Sequence, residues 1–266
     1  MDATTARSAP WRWPAEPMRI LAVALQFLTR LPVPQIPVID GDLRRATAAF
    51  PLVGVLVGGI TLGVWAAVEP LLGAPVAAVA AVIMAVAVTG AFHEDGLADT
   101  FDGLWGGWDP DRRIEIMRDS RIGTYGGCAL VLSLLLRIAL LAQLDLGGAA
   151  RAILVGHVVG RAAILVQIRW LAPVADRGSG AQVAEPVGPI GSAFALLTTL
   201  VVCIACLWQW AAVPLAVGLV GVAAVRRAAR RRIGGLTGDI LGATQQIVLI
   251  LTTGAVVALD RWGGAW

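Results

Sequence analysis

Long apolar runs alternate along this chain with short polar or glycine-rich stretches. Residues 48–68, 73–92, 126–146, 149–172, 190–210, 211–225 and 240–260 are apolar, and most reach the roughly 20 residues an α-helix needs to cross a bilayer. They predict an all-α, polytopic membrane bundle with about seven transmembrane helices. Residues 18–31 are apolar but short, with Arg19 and Arg30 near their ends, and predict an interfacial or re-entrant helix. The closely spaced prolines of PVPQIPV end it, because proline cannot continue a helix. Connectors near residues 70, 147 and 211 are so short that the flanking runs pair as hairpins. Gly54, Gly58 and Gly59 give the first run a small-residue face on which a second helix can approach closely in lipid. Residues 1–17 lack periodicity and read as a flexible tail without the features of a signal peptide; residues 18–266 read as one membrane-embedded catalytic domain.

Sidedness follows from the arrangement of runs. The three short connectors fall on one side. The region before residue 46, the stretch 91–127 and the loops 173–189 and 226–239 fall on the other. That second side collects Arg44, Arg45, Arg112, Arg113, Arg177, Arg226, Arg227 and Arg230 to Arg232, whereas the connectors carry Glu69 and Asp145. The positive-inside bias places the polar loops in the cytoplasm. Composition agrees: 58% of residues are apolar and 15% charged, unlike an ordinary soluble domain. The chain has no lysine, and its net charge of +3 gives no sign of a nucleic-acid partner. Cys128, Cys203 and Cys206 lie in apolar runs and read as packing residues.

The stretch 91–127 breaks the apolar pattern. It holds eight of the eighteen acidic residues. In HEDGLADTFDG (93–103), a helix would set Asp95, Asp99 and Asp102 on one face at i, i+4 and i+3 spacing, where like charges call for a cation. An all-oxygen ligand set suits a hard ion such as Mg²⁺. Glu94 points off that face and is the weaker ligand candidate. A solvated loop holding no ion is the alternative. A second helix, about 111–120, would pair Glu115 with Asp119, flanked by Arg118 and Arg121, whose guanidinium forks match phosphate oxygens; ordinary surface ion pairing is the alternative there. Trp105 and Trp108 read as interfacial anchors or stacking platforms.

Farther on, the arginines of 226–232 read first as a cytoplasmic anchor. After them, IGGLTGD offers backbone N–H groups for an anion around Gly235 and Thr237. Asp239, Gln245 and Gln246 put polar groups at the entrance of the last run. Arg137, His157 and Arg161 lie deep in other runs and should face the bundle interior, because buried charge in lipid is costly.

FHEDGLADTFDGLWGG followed by RRIEIMRDSRIGTYGG resembles the signature of the adenosylcobinamide-GDP ribazoletransferase (cobalamin synthase) family. The resemblance extends to QFLTRLPVP (26–34), FPLVGVLVG (50–58) and RRIGGLTGDILGATQQ (231–246), and so covers most of the chain from Gln26 onward. It implies an inner-membrane, Mg²⁺-dependent enzyme of the last steps of cobalamin biosynthesis. Such an enzyme joins adenosylcobinamide-GDP to α-ribazole, or its 5′-phosphate, and releases GMP. On this basis Glu94, Asp95, Asp99 and Asp102 are metal-ligand candidates, and Asp119 and Asp239 catalytic candidates. Arg118, Arg121, Tyr125, Arg231, Gly235, Thr237 and Gln245 are substrate-binding candidates. A homo-oligomer, or association with other cobalamin-assembly enzymes, is a further expectation. D-x-x-D-G at 99–103 is shared with CDP-alcohol phosphotransferases, but Gly106 and Gly107 stand where that family places Ala-Arg. A cation or metabolite transporter is the non-enzymatic alternative; it calls for carboxylates at mid-span.

Overall fold

The computed structural model describes residues 16–174, 183 and 185–263. Most of the expected tail at 1–17 and much of the loop at 173–189 lie outside them. Among the described residues the chain is a helical bundle with one isolated strand-like bridge, Pro173 to Leu236. Six helical segments are long and apolar enough to cross a membrane.

The amphipathic helix α1 (Glu16–Leu28) and the short α2 (Asp42–Ala46) lead into α3 (Phe50–Thr89). Straight, a helix of 40 residues would be roughly 60 Å long. Yet Phe50, at its start, and Phe92, just past its end, both lie against Phe27, with ring centroids 6.1 and 5.2 Å away. The helix therefore folds back on itself. The bend is at Gly73 (φ 79°, ψ 163°), between Pro70 and Pro75, where a left-handed φ and missing backbone donors break the ladder. The runs expected at 48–68 and 73–92 thus belong to one bent element.

The acidic stretch forms α4 (Phe92–Gly106) and α5 (Pro110–Met117). Then come α6 (Thr124–Leu141), α7 (Leu146–Trp170), α8 (Pro189–Leu207), α9 (Ala212–Arg232) and α10 (Gly238–Gly263). One boundary differs from expectation. Arg226 to Arg232 are the last turns of α9, not a loop, because arginine favours the helix and can project from the bundle without unwinding it. Gly234, at φ 82°, turns the chain toward α10.

Helices α7 and α10 are the most enclosed of the long apolar segments. A Cβ on Gly54 would come within 2.6 Å of the His157 carbonyl, so α3 meets α7 backbone to backbone. At one end of the bundle, Arg151 pairs with Asp260 at 3.0 Å. At the other, the Leu236 N–H donates to Ala172 O (2.8 Å), Arg232 to Leu104 O (2.6 Å), and Arg113 to Arg232 O (2.9 Å). The short connectors and the polar loops thus separate to opposite ends, as the pattern of runs predicts. Arg137, His157 and Arg161 are buried and face inward.

Candidate active site

Helix α4 lies directly on the start of α10. A Cβ on Gly96 would stand 3.1 Å from Asp239 O and 3.2 Å from the Gly242 Cα, closer than most side-chain contacts, so glycine lets the two backbones approach without displacement. That contact brings Asp239, from α10, beside the acidic face of α4. Asp95 and Asp239 line a cavity of about 170 Å³, with His93, Phe27, Phe92 and Val183 among its other walls. The α4 carboxylates have two different fates.

Glu94 turns inward. Its carboxylate accepts from Arg137 at 3.0 Å, and Arg137 also donates to Gln246 at 3.3 Å; all three are buried. A buried charge needs such a partner. Asp102 turns toward α6. Its two oxygens accept the backbone N–H groups of Gly123 (2.7 Å) and Gly126 (2.8 Å), so it caps the first turn of that helix. A Cβ at either glycine would fall within 2.4 Å of those oxygens. The structure thus gives Glu94 and Asp102, both metal-ligand candidates, protein partners of their own: Glu94 off the face of Asp95 and Asp99, Asp102 on it.

Asp95 and Asp99 are the α4 carboxylates left open. No described residue forms an ion pair with either. Asp99 is half-buried, and its carboxyl is pushed up to about 7, by burial first and then by the negative fields of Asp95, Asp239 and Asp102. Carboxylates gathered this way repel one another unless a cation or a proton intervenes. Among the described residues, no three His, Cys, Asp or Glu side chains converge as a ready metal cage. The arrangement does fit Mg²⁺, which commonly takes only one or two carboxylates and completes its shell with water and substrate phosphates.

The segment after α5 is fastened to this helix through Asp102, one turn from Asp99. On it, Asp119 accepts two-pronged donation from Arg121 at 2.5–3.1 Å. That guanidinium holds Asp119 down at about 2. Arg118 and Tyr125 are exposed, and no described residue pairs with the Arg118 side chain. The remaining candidates are spread out. Thr237 accepts the Ile240 N–H at 3.3 Å and so caps α10. Gly235 is packed under Ala172 and Val174. Gln245 is buried in the bundle, its Oε1 without a described partner. Arg231 is exposed at the end of α9.

A sequence profile of the Cobalamin-5-phosphate synthase family matches residues 20–257. The chain belongs to that family. Three relatives carry the name adenosylcobinamide-GDP ribazoletransferase. The Azorhizobium caulinodans protein is 42% identical over 249 residues, covering 86% of this chain and 92% of its own. The Shewanella woodyi protein is 39% identical over 238 residues, with the same coverages. The Vibrio cholerae serotype O1 protein is 37% identical over 238 residues, covering 88% of this chain and 91% of its own. No solved structure matches the chain.

Two features of the site are not legible in the sequence. His93 lines the cavity, fully buried, with Nε2 lacking a described partner. Burial, then the positive fields of Arg161 and Arg137, hold it well below its ordinary value and keep it neutral. Its place at the head of the acidic stretch was the available signal. Arg232 stacks over Trp105, 4.8 Å from the ring centroid, while donating to Leu104 O. Trp105 thus supports the α4–α9 contact; both it and Trp108 are exposed, Trp108 the more so.

Proposed function

We propose that this chain transfers the cobinamide-bearing phosphate of adenosylcobinamide-GDP to a hydroxyl of α-ribazole, or of its 5′-phosphate, and releases GMP. Family membership and the names of the relatives support the reaction. The structural observation that carries it is the gathering of Asp95, Asp99 and Asp239 at one end of the bundle without a paired cation among the described residues.

A nucleoside diphosphate is anionic like these carboxylates, so the two can share the site only around a cation. Asp95 and Asp99, one turn apart, would hold Mg²⁺, which when bound neutralises diphosphate charge and orients the phosphates. Asp239 faces them from α10 and takes the proton of the ribazole hydroxyl. A bond forms from that hydroxyl oxygen to the corrinoid-linked phosphorus; the phosphoanhydride bond breaks, and GMP carries away the electron pair. Arg118 and Arg121 hold non-reacting phosphate oxygens. Asp119 orients Arg121 and is too weak a base near neutrality to take the proton itself. Positioning and charge neutralisation supply most of the acceleration. The arginine bias supports a reading in which this face lies on the cytoplasmic side of a bacterial inner membrane.

The test is release of GMP by membranes containing the chain, given adenosylcobinamide-GDP with and without α-ribazole, and with and without Mg²⁺. Ribazole-dependent GMP release that EDTA abolishes is expected. Asp99→Asn should lower it at least about 100-fold while the protein still inserts. GMP release indifferent to ribazole, or a fully active Asp99→Asn protein, would overturn the assignment.

A further inference from the structure

A cavity of about 490 Å³ lies between α7, α8 and α9, away from the carboxylates. Its deep part is apolar, with Val159, Leu200, Leu215 and Val222 in its walls. Leu196 and Leu219, also in the wall, are 59% and 49% exposed, so the groove opens sideways toward the lipid rather than toward water. From Val159 to Arg169 it follows ten residues of α7, roughly 15 Å of helix. That is half of a hydrocarbon core about 30 Å thick, the depth of one leaflet.

Among the described lining residues, charge is confined to one end. Arg169 and Trp170 close it, and Arg226 lies over the Trp170 ring at 5.4 Å. Arg169 is exposed, and no described residue pairs with it. No acidic residue is in the described lining. Glu185, beside lining residue Pro186, is engaged by Arg44 at 3.3 Å. Trp170 precedes the Pro173–Leu236 bridge by three residues, so the cationic end is level with the start of α10 and Asp239.

We propose that this groove is a binding site for an anionic phospholipid of the leaflet facing the active site. One acyl chain fills the apolar slot as far as Val159, and the headgroup phosphate meets Arg169 and Arg226. Trp170 sits at the interfacial level where tryptophan is favoured. An arginine near a bilayer surface attracts an anionic headgroup with about fivefold preference, so two arginines set the slot apart from the uncharged lipid-facing surface.

The full chain reconstituted in phosphatidylcholine vesicles containing one-fifth phosphatidylglycerol tests this. The probe is a trace of phosphatidylglycerol with a photoactivatable acyl chain, and labelled residues are mapped by mass spectrometry. Label should concentrate on groove residues such as Leu196 and Leu219. It should drop about fivefold in Arg169→Gln and about 25-fold when the same probe carries a choline headgroup. Ala162→Trp, which fills the slot, should abolish groove labelling while the protein remains monodisperse. Three results would each overturn the proposal: label spread evenly over the outward helix faces, equal labelling by the two headgroups, or groove residues cross-linked to a second copy of the chain.

Discussion

Glu94 and Asp95 are neighbours on one helix and have opposite surroundings. Glu94 is buried and answered by Arg137; Asp95 is exposed, and no described residue forms an ion pair with it. One turn on, the contrast repeats between Asp102, held by two backbone N–H groups, and Asp99, held by none. A carboxylate matched by its own protein builds the bundle. One left unmatched is free for a ligand the protein does not contain.

Exchanging the two kinds of carboxylate should therefore give opposite phenotypes. The largest effect on folding is expected at Glu94. Glu94→Ala leaves Arg137 buried without its acid and should cost about 3–5 kcal/mol, read as a lost monodisperse peak or a much lower thermal midpoint in detergent. If Glu94→Ala proves as stable as the parent, the division between structural and functional carboxylates is wrong.

Asp102→Ala comes next. Two backbone N–H groups, buried at Gly126 and part-buried at Gly123, lose a charged acceptor, at about 1–3 kcal/mol, and the segment carrying Arg118 and Arg121 loosens from α4. Activity should fall with stability, and Asp102→Asn should restore part of both.

Asp99→Asn should do the reverse: transfer is lost, yet the fold gains. The carboxyl of Asp99 holds its proton more tightly in the fold, at about 7, than at its ordinary 3.8. Its contribution to stability is therefore greatest below that ordinary value, declines as pH rises to about 7, and is flat above. At pH 8 the fold carries the full penalty of the ionised group, and Asp99→Asn should remove it, on the order of 1 kcal/mol after allowance for solvent screening. The same titration predicts that the Mg²⁺ needed for half-maximal rate rises as pH falls below about 7, because a protonated carboxyl is a poor ligand. A gain in stability equally large at pH 4 would remove this explanation.

The smallest effect on the fold is expected at Asp119, which is partly exposed and, among the described residues, ion-paired only with Arg121. Asp119→Asn should leave the thermal midpoint unchanged and weaken substrate affinity through a less ordered Arg121.

The sequence pattern was a good guide wherever the deciding interactions are local. Run lengths give the long helices, short connectors give the ends, and i, i+4 spacing correctly puts Asp95 and Asp99 on one face. It misled where a partner lies far along the chain. Asp102 lies on that face as its spacing predicts, but its oxygens are taken by the Gly123 and Gly126 N–H groups, which the spacing does not reveal. Glu94 is defined by Arg137, 43 residues on, and Arg137 by Gln246, 109 further. No periodicity carries that information. Proximity of Asp239 to Asp95 likewise depends on Gly96 meeting Gly242, a contact made only in the folded bundle.

The enclosed position of α10 also bears on how the protein is made. This helix lends Asp239 to the cavity and Gln246 to the interior pair, and α4 to α9 all leave the ribosome before it does. Until α10 docks, the growing chain has half a cavity and an acid–arginine pair missing its third member. Completion of the site therefore waits for one late docking event. A chain halted before residue 238 should be recognisable to quality-control proteases by the slot it leaves open.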